Sequence, residues 1–215
     1  MTQGVRLPTT SRAEATIARY YSGKIALHGA TPRGVDWTCA ESQALRFERL
    51  LDVVDRPTFS INDVGCGYGA LLGHLDDRRG DAGVDYLGID LSRAMVERAT
   101  ELWGKRPGAT FAEAPCSLRV ADYSVASGIF NVNLDQPLDA WEDFVERTLV
   151  RMTDASRVGV AVNFMRLRRG SPAYPSPLYR TSPRRWRAFL TTLGWRTRLS
   201  EGYGLGEFTL LATRR

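Results

Sequence analysis

Three glycines at alternate positions, Gly65, Gly67 and Gly69, stand in the stretch FSINDVGCGYGALL, between an apolar β-branched run and a second apolar stretch. A chain needs residues without a Cβ where it turns sharply or lets another group come close. A strand that feeds such a turn into a helix is a general device for holding nucleotides, with backbone N–H groups aimed at the ligand. The run GCGYGA also satisfies G-x-G-x-x-A, the spacing of dinucleotide sites, so the loop alone leaves its ligand open. Two carboxylates narrow the choice. Asp63 precedes Gly65 in the pattern D-x-G-x-G-x-G, where it would repel a pyrophosphate and could orient an ammonium. Asp90 closes the next strand-like segment, about twenty residues beyond the loop, where a carboxylate accepts from the ribose hydroxyls of either kind of nucleotide.

Other reactive side chains are scattered. His28 and Trp37 lie in LHGATPRGVDW, a turn-rich loop that could fold over the ligand with His28 as general base and Trp37 as a wall. A hydrogen-bonded loop histidine is the structural alternative. Tyr20, Tyr21 and Lys24 share a helix face with Ile17, either beside the pocket or packed on the sheet. Tyr174 and Tyr179, in RRGSPAYPSPLYRTSP, are placed to touch an acceptor or to sit in an ordinary surface loop. Arg166, Arg168, Arg169, Arg184, Arg185 and Arg187 could track phosphates, or form a solvated face. The cysteines Cys39, Cys66 and Cys116 form no C-x-x-C pair, and His28 and His74 are the only histidines. No metal site is expected, and a reducing, cytoplasmic setting is.

These residues must be positioned by a scaffold. A chain of 215 residues is long enough for one domain with its own core. The net charge of +5 is too modest to mark a nucleic-acid protein, and no apolar run is long enough to span a bilayer. Strand-like segments at 58–64, 84–91, 109–114, 122–131 and 157–165 alternate with helical ones. Two further strands, 195–203 and 207–215, are separated by a short glycine-containing turn that suits only an antiparallel hairpin. Among the helices, one begins at Thr38 with Glu41 as its capping-box partner. Another starts behind Ser92, and a third has Ser182 as cap, Pro183 in first position and Gly194 as stop. The expected fold is α/β, Rossmann-like and seven-stranded with its last strand antiparallel and helices on both faces. Residues 1–57 are expected to form a helical cover on a nucleotide-binding body, 58–215.

In DVGCGYG, YLGIDLSRAMVERA and the closing GLGEFTLLATRR, the sequence resembles the class I S-adenosylmethionine-dependent methyltransferases over most of its length. HGATPRGVDW, SINDVGCGYGAL and ADYSVASGIFNV together resemble a group of short bacterial methyltransferases of unassigned substrate. The resemblance implies S-adenosyl-L-methionine as cofactor. By position, Gly65, Gly67 and Gly69, with Cys66 tolerated between them, would let the methionine part lie on the loop. Asp63 would help hold the amino group, Asp90 the ribose, and Leu91 and Met95 would flank the adenine. Ala114, Pro115 and Cys116 stand where the family reads the adenine amino group. Ser127, Gly128, Ile129 and Asn131, after the fourth strand, would face the methyl donor, with Asn131 and Trp37 toward the substrate. SGIFN is not the N-P-P-Y type motif of base-amino methylases.

Methyl transfer depends mainly on aligning acceptor, methyl and sulfur, with a base only where the acceptor must first lose a proton. His28 is the first candidate base, followed by Glu207 and Tyr21. The sequence thus predicts a small-molecule O- or N-methyltransferase. An RNA or protein methyltransferase using the arginine-bearing C-terminal half, and a non-catalytic nucleotide-binding protein of the same fold, are the alternatives. Oligomeric state and acceptor identity are beyond the sequence.

Overall fold

The computed structural model describes residues 11–80, 83–116, 119–168, 170 and 176–214. Its elements run α1 (Arg12–His28), a 3-10 turn (Pro32–Val35), α2 (Ala40–Leu51), β1 (Phe59–Val64), α3 (Ala70–Arg79), β2 (Val84–Asp90), α4 (Arg93–Trp103) and β3 (Ala109–Glu113). Then come β4 (Ala121–Ala126), α5 (Leu138–Asp154), β5 (Ser156–Arg166), β6 (Arg180–Thr181), α6 (Pro183–Thr192), β7 (Trp195–Glu201) and β8 (Glu207–Arg214).

The sheet order is β3-β2-β1-β4-β5-β8-β7, with the two-residue β6 attached to β5. β1 through β5 pair in parallel; β8 runs antiparallel between β5 and β7. From β1 the chain builds outward to β3, returns to β4 and builds the other way. The crevice between the C-terminal ends of β1 and β4 is therefore the switch point, where open α/β sheets hold ligands.

Each strand of the centre is apolar because both sheet faces are covered. One face carries Trp141, Phe144, Val145 and Leu149 of α5 and Trp186 and Leu190 of α6, with Ile17 of α1 joining them. The opposite face carries Phe47 and Leu50 of α2 and Leu71, Leu72 and Leu75 of α3. Ser92 caps α4 by accepting from the Met95 N–H, and Ser182 caps α6 with Pro183 behind it.

Two local expectations change. α2 is preceded by Cys39 with no side-chain cap, and Thr38 Oγ1 instead lies 3.4 Å from Ser42 Oγ, so no Thr38–Glu41 capping box forms. The reciprocal box belongs to α1, between Ser11 and Glu14. β4 ends at Ala126 rather than at 131, because Gly128 adopts φ +74° and its N–H is taken by Asn163 Oδ1 at 2.6 Å, which draws the chain out of the ladder.

Candidate active site

The glycine loop follows β1 directly. Gly65, Gly67 and Gly69 have φ of +74°, +54° and +81°, values that L side chains avoid. A Cβ on Gly65 would run into Ile129, and one on Gly67 would come within 2.8 Å of Val35. Four of the loop's donors are spent on protein acceptors. Gly65 and Cys66 donate to the Ile89 carbonyl, Gly69 to the Cys66 carbonyl, and Gly67 to Asp90 Oδ2 at 2.9 Å. A pyrophosphate loop works by offering such N–H groups to anionic oxygens. This one has turned the N–H groups of all three glycines and Cys66 inward and sets two carboxylates beside them.

Asp90 holds Gly67 with one oxygen and accepts the Ser92 N–H at 2.8 Å with the other. The Leu91 N–H adds a third such bond to Asp90, and a carboxylate's roughly four lone-pair positions still leave room for a ligand. Burial lifts its pKa to about 6, against the pull of those N–H groups. Asp63, on the last turn of β1, is buried and accepts from Tyr86 Oη at 2.6 Å. Burial pushes its pKa to about 7, with the nearby Asp90 charge adding to the shift and the Tyr86 hydrogen bond opposing it. Two acids near one cavity, both reluctant to ionise without a cation, make an electrostatic site for a positive group.

Asp63 and Asp90 open into a cavity of about 100 Å³ at the switch point. Leu91, Met95, Ala114 and Pro115 line one end. Ser127, Gly128, Ile129 and Asn131, after β4, line another wall. Ile17 and Tyr21 of α1 contribute to the lining, with Val35, Asp36 and Trp37 of the loop that follows. That loop is tethered: Asp36 accepts from Tyr20 Oη and pairs with Lys24, each at 2.5 Å. α1 is itself pinned to the start of α4 through Ser22 and Ser92, 2.8 Å apart. Ser127 Oγ and Asn131 Nδ2 are buried in the cavity wall without a partner among the described residues.

Several candidates lie elsewhere. His28 is on the last turn of α1, where its carbonyl accepts from Thr31 Oγ1, and it does not line the cavity. Glu207 is outside it too and is committed as a buried carboxylate to Arg46 at 2.6 and 2.8 Å and to Asn163 Nδ2 at 2.8 Å. That engagement removes it as a base. Tyr21 does line the cavity, but burial raises its phenol far above the ordinary range, so it cannot serve as a base near neutrality. Gly69 starts α3 and packs against Trp103, while Cys116 stays off the lining. Tyr179 is buried, donating to Glu142 at 2.9 Å rather than facing an acceptor. Tyr174 and Arg169 lie outside the described residues.

Other lining residues carried no signal of function. Gln43 and Phe47 of α2, and Phe144 and Thr148 of α5, reach the cavity from core-facing helix positions. Asp36 and Tyr68 also line it. Tyr68 sits between two of the loop glycines, and its hydroxyl lies 3.3 Å from Gln43 Oε1. Asp36, in a left-handed turn after Gly34, is the one whose setting in PRGVD carried a turn signal.

A methyltransferase-domain family model matches residues 62–144, the span from β1 to α5 that contains the glycine loop and Asp90. The chain is 38% identical to "Putative methyltransferase Rv1506c" of Mycobacterium tuberculosis (strain ATCC 25618 / H37Rv), over 77% of its own length and 98% of that protein's. Among solved structures it resembles the DhpI complex with S-adenosylhomocysteine (TM-score 0.61, 15% identity, 93% of this chain and 96% of that one). It also resembles human N-acetylserotonin methyltransferase in complex with S-adenosylmethionine (TM-score 0.60, 15% identity), covering 99% of this chain but only 60% of that longer one. The fold and the site together define an α/β nucleotide-binding transferase. The chain belongs to the S-adenosylmethionine-dependent methyltransferases and is an enzyme. Its cofactor fits the residues present: two raised carboxylates suit an ammonium and a ribose, and the inward-turned loop offers little to a pyrophosphate.

Proposed function

We propose that this enzyme methylates an oxygen or nitrogen atom of a small-molecule acceptor. The observation that carries the reading is the roof over the cavity. Tyr21, Val35, Asp36 and Trp37 line the cavity together with the glycine loop and the residues after β4, so the site is a partly covered cleft rather than an open track of the kind a polymer needs. On this reading residues 1–57 serve as the cover and 58–215 as the donor-binding body, with α2 joining the two. The name of human N-acetylserotonin methyltransferase, a fold neighbour, points to a small acceptor as well.

In this reading Gly65, Cys66 and Gly67 cradle the methionine part, Asp63 faces its ammonium and Asp90 its ribose. Leu91, Met95, Ala114 and Pro115 enclose the adenine. S-adenosylmethionine supplies, when bound, a methyl group on a sulfonium. Ser127, Gly128 and Ile129 border the transfer position, and Trp37 and Asn131 border the acceptor. The protein's contribution is alignment and exclusion of water, and no fixed triad is needed.

The polymer reading gains less support. Arg166, Arg184 and Arg187 border an open surface groove between α6 and β7, separate from the cavity lining, and Arg166 is paired with Glu201. The deciding experiment incubates the protein and methyl-labelled S-adenosylmethionine with a bacterial extract split into metabolite, RNA and protein fractions. Label is expected in the metabolites. Label confined to RNA or protein would refute the reading.

A further inference from the structure

We propose that Asn131 makes the acceptor site selective for an oxygen nucleophile over nitrogen; the inference rests on the small-molecule reading above.

Asn131 is 4% exposed and lies in the cavity wall just beyond β4. Its Oδ1 accepts the Met165 N–H at 3.1 Å, and only an oxygen can meet that donor, which fixes the orientation of the amide. Nδ2 is thereby held on the other side, buried and without a partner among the described residues. It lies 3.6 Å from the point where a side-chain carbon on Gly128 would stand. The backbone here is rigidly held: Asn131 N–H donates to the Gly128 carbonyl and the Asn131 carbonyl accepts from Tyr179 N–H. An unsatisfied buried amide donor is costly, and a rigid one has no means of turning to find a partner. The partner must come with the ligand.

That donor discriminates between nucleophiles. A neutral amine has one lone pair, which the attack consumes, so it meets Nδ2 donor against donor. An oxygen attacks with one lone pair and accepts from Nδ2 with another. In the step, oxygen bonds to the methyl carbon as the carbon–sulfur bond breaks and its electron pair stays on sulfur. Any proton on the oxygen leaves to water. The oxygen belongs to a hydroxyl such as a phenol, or to a carboxylate; both present the same lone pairs to Nδ2.

The test uses 1-naphthol, 1-naphthoic acid and 1-naphthylamine as matched probes. Their binding to the S-adenosylhomocysteine-loaded protein is measured by calorimetry, and their methylation by label transfer. One of the two oxygen probes is expected to beat the amine by about tenfold or more in Kd and in kcat/KM, and which of them does so distinguishes hydroxyl from carboxylate. Asn131→Asp keeps an oxygen for the Met165 N–H and replaces the donor with an acceptor. It should cut that preference about tenfold, read as a ratio between probes so that any change in S-adenosylhomocysteine affinity cancels. Asn131→Ala, which removes the donor without adding a charge, should weaken the oxygen probe alone. Equal or better use of the amine by the parent protein, a preference untouched in both variants, or no binding of any probe to the loaded protein overturns the inference. Failure of the parent to bind S-adenosylhomocysteine at all would strike the donor assignment itself, a separate and recognisable result.

Discussion

Asp90 holds the fold together at the point where, on the proposed reading, it meets the ligand. Its oxygens tie the glycine loop to the start of α4, and the side chain lines the cavity. Asp90→Asn keeps an acceptor and loses the charge, whereas Asp90→Ala loses both. Hydrogen bonds to a charged group are worth about 1.5–3 kcal/mol. Calorimetry with S-adenosylhomocysteine should therefore show a deficit of about that size for the alanine variant and a smaller one for asparagine. Unchanged affinity in Asp90→Ala would remove Asp90 from the donor site. Gly65 makes the complementary case, where absence of a side chain is the requirement. Its φ of +74° and the closeness of Ile129 leave no place for a methyl group. Gly65→Ala should lose about 1–2 kcal/mol from the left-handed backbone alone, with the steric clash added, read as a lower urea midpoint. A midpoint equal to the parent's would mean that the loop can relax into another path.

At the scale of elements, the loop after α1, α2 and the sheet are joined by a buried polar chain. Arg46 of α2 stacks on Trp37 at 3.9 Å and forks onto Glu207 of β8, Glu207 accepts from Asn163 of β5, and Asn163 accepts from Gly128. A Cβ on Gly128 would collide with Trp37, so the indole and the backbone after β4 are fitted to each other. Removing one partner of a buried pair strands the other's charge. Glu207→Gln is expected to cost about 3–5 kcal/mol in chemical denaturation, and Arg46→Leu with Glu207→Leu together should recover much of it. A single variant as stable as the parent would show that the pair is not what fastens α2 to β8. This chain also explains what the sequence could and could not disclose. The strands, the terminal hairpin and the caps at Ser92 and Ser182 are local patterns, and so is the glycine loop with Asp63 and Asp90. The cavity wall away from the glycine loop is assembled from positions far apart, Trp37 against Gly128 among them, and no local period marks such a meeting. His28 and Glu207 were chemically plausible bases; position excludes one and an ion pair the other. The end of β4 was misplaced because apolar residues continue through Phe130 after the backbone has already turned at Gly128.

On the scale of the whole molecule, the cavity at the switch point stores an electrostatic tension that the donor would release. Burial holds Asp63 near a pKa of about 7 and Asp90 near about 6, both above the ordinary 3.8. The folded protein therefore binds more protons than the unfolded chain between these values, and the empty enzyme should lose stability as pH rises from about 4 to 7. For Asp63 alone the full cost is on the order of 4 kcal/mol. Donor binding reverses the sign. An ammonium beside Asp63 favours the ionised form, so binding below pH 7 must expel a proton, and affinity should fall by up to about tenfold per pH unit for each proton expelled. Calorimetric titration with S-adenosylhomocysteine at pH 6, repeated in buffers of different ionisation heat, measures that proton directly. Release is expected at pH 6 and little at pH 8.5, and the rise in melting temperature caused by the ligand should be larger at the higher pH. Asp63→Asn should remove most of the released proton while leaving the smaller share from Asp90. An affinity that stays level from pH 5.5 to 8.5, with no proton released, would mean that the donor's ammonium lies elsewhere and that Asp63 serves Tyr86 and the end of β1 alone.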